Sequence, residues 1–238
     1  MTTATTTLRP STRRSKRRPG PRDIREMDVQ QLHRLAEELH ERPVPGVHMT
    51  EAEFLAWCPE EIRAEWADGE VILMAPVTNE HDDLDTWLTA IVRLLCETQD
   101  LGVVRHNMYL RLASQRRLRV PDLMFIPKAR THLLKGASFH GAPDLVVEIV
   151  SPESQSRDRR DKFREFEKAG VREYWIIDPI SRTVEVYALE RRKFRLLAPD
   201  AGILASTVLP HFRLKVDWFW QKPLPKVVTV LRQMGVKS

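Results

Sequence analysis

Along residues 27–41 apolar side chains recur at Val29, Leu32, Leu35, Ala36 and Leu39, a spacing that gathers them on one face of a helix, and Pro43-Val44-Pro45-Gly46 predicts its end. Thr50 and Glu53 form a capping-box pattern ahead of Phe54-Leu55-Ala56-Trp57, which predicts a short helix stopped near Pro59. Asp68-Gly69 separates two strand-like runs and predicts a hairpin. Over residues 80–99, Leu84, Trp87, Leu88, Ile91, Val92 and Leu95 mark a long amphipathic helix, with acids in its first turns, that covers one face of a sheet.

Residues 103–112 alternate as a strand and residues 119–126 read as a second. Residues 144–150 give a third, apolar on both faces and therefore central in a mixed, covered sheet. A charged helix over 156–169 ends at Gly170, and residues 173–177 form an aromatic and β-branched strand running into Asp178-Pro179. A hairpin turns around Glu190-Arg191-Arg192. Residues 203–219 are apolar with breaks at Pro210 and Asp217, residues 227–234 predict a last helix, and no internal repeat occurs.

Composition adds little to this α/β picture. Forty-two per cent apolar and 30% charged residues in 238 suit one main globular domain. The formal charge of +5 points to a polyanionic partner until its source is located. Arg9, Arg13, Arg14, Lys16, Arg17, Arg18 and Arg22 supply seven positive charges with no acid among residues 1–22, and removing them leaves −2. Residues 1–26, rich in Thr, Ser, Pro and Arg, are expected to be a disordered basic tail, of which 9–25 is a candidate for non-specific nucleic-acid contact. Residues 27–46 follow as an N-terminal helix and linker appended to the core, and 47–238 as the main domain. Cys58 and Cys96 lack zinc-site spacing and read as unpaired thiols of a reducing compartment. No apolar run is long enough for a membrane span or a secretory signal, so the expected location is cytoplasmic.

The candidate chemistry lies where the apolar pattern is interrupted. Asp122 follows Pro121 and opens Leu123-Met124-Phe125-Ile126, while Glu148 splits Leu145-Val146-Val147 from Ile149-Val150, where a charge needs a partner or a metal. Asp158, Lys162 and Phe166 recur at i, i+4 and i+8 on the following helix, so the lysine shares a face with an acid. Plain structural readings stand beside these: Asp122 as a turn residue, Glu148 as the buried partner of a cation, Lys162 as a solvated charge among Arg159, Arg160 and Arg164. Trp87 and Trp175 read as core.

Glu65-Trp66-Ala67-Asp68-Gly69-Glu70, the Glu80-His81 pair, Val120-Pro121-Asp122, the run from Asp144 to Ser154, Asp158 to Lys162, and Ala169 to Pro179 together resemble the Uma2 family over roughly residues 48–220. That family lies in the restriction-endonuclease-like PD-(D/E)xK superfamily. The resemblance implies a restriction-endonuclease-like mixed central sheet flanked by helices, with an added β-hairpin region. It implies Asp122 and Glu148 as metal ligands and catalytic residues. It also implies a catalytic lysine displaced to Lys162, since the superfamily's usual position, two residues after the glutamate, holds Val150. Glu65 enters as a further carboxylate at the metal and His81 as a phosphate contact or proton carrier; a hairpin acid and an N-terminal helix histidine also need no function. Phe166 stands where the family commonly has a tyrosine, and His211 where it usually has a glycine.

Phosphodiester hydrolysis needs a cation to neutralise the phosphate and lower the pKa of an attacking water, and carboxylates at adjacent strand ends suit Mg²⁺ or Mn²⁺. A nearby ammonium would stabilise the developing charge. The expected function is a metal-dependent endonuclease acting on DNA; the other class is a non-cleaving nucleic-acid or protein interaction module. A homodimer is left open. The core's formal −2 requires segregated positive charge to hold a polyanion, for which Arg105, Arg111, Arg116, Arg117 and Arg119 are candidates.

Overall fold

The structure is a computed structural model described over residues 23–151, 154, 157–198 and 201–236. The expected tail lies outside the described residues as far as Arg22. Its last residues, Ile24–Glu26, form a 3₁₀ turn capped by Asp23, with Ile24 buried. Helix α1 (Val29–Leu39) opens with an Asp28/Gln31 capping box and ends at His40, whose φ of 48° is left-handed. Helices α2 (Glu51–Trp57) and α3 (Asn79–Thr98) follow the predicted pattern, α2 with its Thr50/Glu53 box formed.

Among the described residues, fifteen strands make two large sheets and a small hairpin. The first sheet comprises β1 (Pro43–His48), β2 (Ala64–Ala67), β3 (Glu70–Leu73), β5 (Tyr109–Leu112), β6 (Arg117–Arg119), β8 (Leu134–Lys135) and β9 (Ser138–His140), in the order β1-β3-β2-β6-β5-β9-β8. The second comprises β4 (Gly102–His106), β7 (Leu123–Pro127), β10 (Leu145–Ile149), β11 (Glu173–Asp178), β12 (Thr183–Glu190) and β13 (Lys193–Leu197), in the order β13-β12-β11-β10-β7-β4. Strands β14 (Ile203–Ala205) and β15 (Arg213–Lys215) pair with each other, and helix α5 (Val227–Gln233) closes the described chain. Central β10 runs parallel to β11 and antiparallel to β7, so the second sheet is mixed.

Three expectations are corrected. The Pro-rich stretch after α1 continues as β1, paired with β3 at the edge of the first sheet, where a proline's missing N–H costs no ladder bond. Residues 27–46 are thereby tied in: Leu32, Ala36, Val44 and Val47 join Phe54, Trp66 and Leu73 in one buried cluster. The strands read at 103–112 and 119–126 each divide in two and pass from one sheet to the other. Asn107, at φ 49°, breaks the first; Pro121, with no N–H to give, breaks the second. Asp122 therefore stands at a crossover between sheets, where its side chain is free of the ladder's alternation.

Alternation within the second sheet fixes what faces what. Leu145, Val147, Ile149, Trp175 and Ile177 pack with Leu88, Ile91 and Leu95 of α3. Val146, Val150, Tyr174 and Ile176 pack instead with Phe166 of helix α4 (Phe163–Ala169). Glu148, lying between Val146 and Val150, must face α4. A π-helical turn, Asp158–Lys162, leads into α4 without a break, and Gly170 at φ 89° ends it.

Candidate functional site

A cavity of about 300 Å³ opens where β10 ends, between the π turn, the segment entering α3 and the chain just after α1. Asp122, Glu148, His81 and Lys162 all line it, so four of the five sequence-predicted site residues meet there. Asp122 and Glu148 come from neighbouring antiparallel strands. Continuing the pairing of Leu123 with Val147 sets one opposite the other, and the Ile149 N–H donates to Asp122 Oδ2 at 2.7 Å.

Lys162 is 1% exposed, which rules out the solvated-charge reading. Its Nζ lies 2.9 Å from Glu148 Oε1, 3.2 Å from Asp158 Oδ1 and 3.4 Å from Glu65 Oε1. Burial alone would drive this ammonium toward its neutral form. Asp158, Glu148 and Glu65 outweigh burial and hold its pKa well above the usual lysine range. The π turn makes this possible by bringing Asp158 and Lys162 together at i, i+4 beneath the sheet, a common use of such bulges.

Glu65, expected as a further carboxylate at the metal, stands apart from the other four. It is fully buried and does not line the cavity. One oxygen accepts from Arg119 Nη1 at 2.9 Å and the other from the Val120 N–H at 3.1 Å. Burial pushes its carboxyl up, but Lys162, Arg157 and Arg119 together hold it far below the usual carboxylate range. Its place is behind the lysine.

Asp122 is paired on its other side with Arg63 Nη2 at 3.2 Å and with His81 Nε2 at 3.4 Å. Burial opposes its charge, yet the His81 and Arg63 contacts and the Ile149 N–H lower its pKa. Burial likewise depresses His81, and Asp122 more than restores it, so the imidazolium is favoured. One turn along α3, Asp85 is pushed up to about 6 by burial and by Asp122.

Glu148 behaves differently. Burial raises its pKa well above the usual value; Lys162 opposes this, while Asp158, Asp122 and Glu65 add to it. Lys162 is shared among three carboxylates, so Glu148 receives only part of one positive charge.

Among the described residues, six buried side-chain atoms have no hydrogen-bond partner, and five belong to residues lining this cavity. Three are nitrogens without any close partner, Arg63 Nε, Arg157 Nε and His81 Nδ1; the other two, Glu148 Oε1 and Asp158 Oδ1, are the carboxylate oxygens that ion-pair with Lys162. Buried donors are rarely left so, and such nitrogens beside the Asp122 and Glu148 carboxylates fit a ligand carrying an anion and a cation together. No group of three or more His, Cys, Asp or Glu residues forms a ready-made metal cage among the described residues. Mg²⁺ keeps several waters and needs only one or two protein carboxylates, so Asp122 and Glu148 fit such an ion as hard donors.

Arg63, Arg157, Asp158 and Glu41 also line the cavity, without having been assigned roles from the sequence. Arg157 donates to the Glu41 carboxylate at 2.5 Å and to the Glu41 carbonyl at 3.2 Å. Asp158 carried a signal in its i, i+4 spacing from Lys162. Arg63 and Glu41 carried none, because only folding across the two sheets brings them here. Phe166, lacking the phenol, packs edge-on against Tyr174 at 5.1 Å, and the Tyr174 hydroxyl donates to the Asp158 carbonyl. His211 adopts a φ of 62° at a turn remote from this cavity's lining, so the glycine-like conformation is kept without glycine.

The profile of the Uma2 family, described as "Putative restriction endonuclease", matches residues 51–217. The chain is 21% identical over 150 residues to "Uncharacterized protein slr1290" of Synechocystis sp., covering 62% of this chain and 78% of that protein. It also resembles the crystal structure of "a putative nuclease belonging to DUF820" from Anabaena variabilis, with a TM-score of 0.63 and 20% identity, over 72% of this chain and 97% of that one.

Proposed function

This chain belongs to the Uma2 family and has a restriction-endonuclease-like fold, and from that premise we propose that it is a metal-dependent endonuclease hydrolysing phosphodiester bonds in DNA. The observation that carries the reading is the set of unpartnered buried nitrogens of Arg63, Arg157 and His81 sharing one cavity with the Asp122 and Glu148 carboxylates, matched to a phosphate and a cation. Asp122 and Glu148 would hold Mg²⁺ or Mn²⁺. Bound there, the cation neutralises charge on the phosphate and lowers the pKa of an attacking water.

The chain's own groups supply the remainder. Arg63 and Arg157 present guanidinium donors for phosphate oxygens, an arrangement suited to a planar fork. Lys162, held charged against burial by its carboxylate neighbours, stabilises negative charge developing beside Glu148. Glu65 and Asp158 position that ammonium. His81, favoured in its protonated form by Asp122, carries the proton required by the departing oxygen.

The test combines Mn²⁺ calorimetry with single-turnover cleavage of a generic DNA substrate, comparing the parent with Glu148→Gln and Asp122→Asn. Both variants should lose metal affinity and cleavage together. Unchanged Mn²⁺ affinity would place the metal elsewhere, and a metal-binding parent that never cleaves would favour the non-cleaving interaction module.

A further inference from the structure

The cations expected to make a basic surface around β5 and β6 are mostly spent. Arg111 pairs with Glu51, Arg116 with Asp68, Arg117 with Glu165, and Arg119 with Glu65 and Glu165. Free positive charge lies elsewhere. On α4 and its π turn, Asp158, Lys162 and Phe166 face inward and are buried, whereas Arg160, Arg164 and Lys168 face outward and are exposed. Opposite them the β12–β13 turn presents Arg192, whose φ of 64° continues the left-handed turn begun at Arg191. Helix and turn enclose a cleft of about 800 Å³ with Phe163 in its wall.

Among the described residues, Arg160, Arg164, Lys168 and Arg192 enter no ion pair, while the cleft's one lining acid, Glu167, is taken by Lys193 and by the Phe194 N–H. Asp161 is exposed on the same helix and offsets part of this charge. We infer that this cleft is a docking surface for the phosphate backbone of a nucleic acid, separate from the cavity that holds Glu148. The helical row steps by about 6 Å per cation and spans about 12 Å in all, comparable with the ~12 Å width of a B-DNA major groove. Protein partners are met by the opposite pattern, an apolar and aromatic centre depleted of charge. Consecutive residues of one turn divide the two concavities, since Arg157 and Asp158 line the cavity and Arg159 and Arg160 line the cleft. A polynucleotide anchored in the cleft thus reaches the cavity around the start of this helix.

The test is fluorescence anisotropy of a labelled DNA duplex with the full chain, titrated at several salt concentrations in EDTA, so that neither metal nor cleavage enters and failure of the nuclease reading leaves it intact. The cleft variant carries Arg160→Gln, Arg164→Gln, Lys168→Gln and Arg192→Gln. A control of equal charge carries Arg34→Gln, Arg182→Gln, Arg213→Gln and Lys226→Gln, all exposed positions outside the cleft. Losing four phosphate contacts should shrink the slope of log K against log salt by about 3 to 4 and weaken binding by about 10²-fold relative to the control. The single reversal Arg164→Glu, checked by thermal melting against the parent, should weaken binding in the same direction. Equal affinities and slopes for cleft and control variants would overturn the docking surface.

Discussion

A carboxyl group pushed toward its neutral form, 2.9 Å from an ammonium held in its charged form, places Glu148 at an unstable balance that a cation would resolve. The same shift has a consequence for folding. Its folded pKa lies above the unfolded value, so the native chain keeps a proton that the unfolded chain has released. The stabilising contribution is present in full below the ordinary carboxylate range and is lost as pH rises toward the folded pKa. Glutamine cannot ionise. The urea midpoint of metal-free Glu148→Gln should therefore fall less than the parent's as pH rises above the ordinary carboxylate range; parallel declines would show that Glu148 is not held protonated. Lys162→Met should act in the opposite sense. Leaving Glu65, Glu148 and Asp158 without their shared cation should cost about 3–5 kcal/mol, the scale of breaking a buried ion pair. A urea midpoint close to the parent's would mean that these carboxylates have another counter-ion.

At the scale of elements, the site depends on a segment that precedes the family match. Helix α1 ends in two left-handed residues, His40 and Glu41, and this sharp exit aims Glu41 at Arg157 ahead of the π turn. Glu41→Ala should loosen that arginine and lower stability by about 2 kcal/mol, as for a lost hydrogen bond to a charged group. A thermal melt and a Glu41→Gln comparison check this: the amide should restore part of the loss, and an unchanged melt for Glu41→Ala would sink the strut. Helices were legible in the sequence because each carries its own periodicity and cap, as in the Thr50/Glu53 and Asp28/Gln31 boxes, although the second was recognised only in the structure. Asp122, Glu148 and Lys162 were legible because charges interrupt apolar runs there or fall at helical spacing. The sheets were not. Alternation continues through Asn107 and is barely disturbed at Pro121, so nothing local distinguishes one strand from two that part into different sheets.

Across the whole molecule, three groups of cations bear on the site and on nucleic-acid binding. Arg119 and Lys162 are buried and Arg157 is half-buried, each against carboxylates, and they line or back the site. Arg160, Arg164, Lys168 and Arg192 stand around a cleft and enter no ion pair among the described residues. A third group is the seven basic residues before Asp23, whose removal reverses the sign of the formal charge. Because phosphate binding is counted in released counterions, the second and third groups should add in the salt slope even though neither touches the metal ligands. Deleting residues 1–22, and stopping there because Ile24 is part of the buried core, should leave the thermal midpoint unchanged and reduce the slope for duplex DNA by at most about 6. Combined with the four cleft substitutions, the two reductions should sum, since they act on separate phosphates. A truncated chain with the parent's affinity and slope would remove the N-terminal block from nucleic-acid binding. A double variant no weaker than either single one would mean that both sets of cations compete for the same phosphates, and that the cleft and the N-terminal segment form one site.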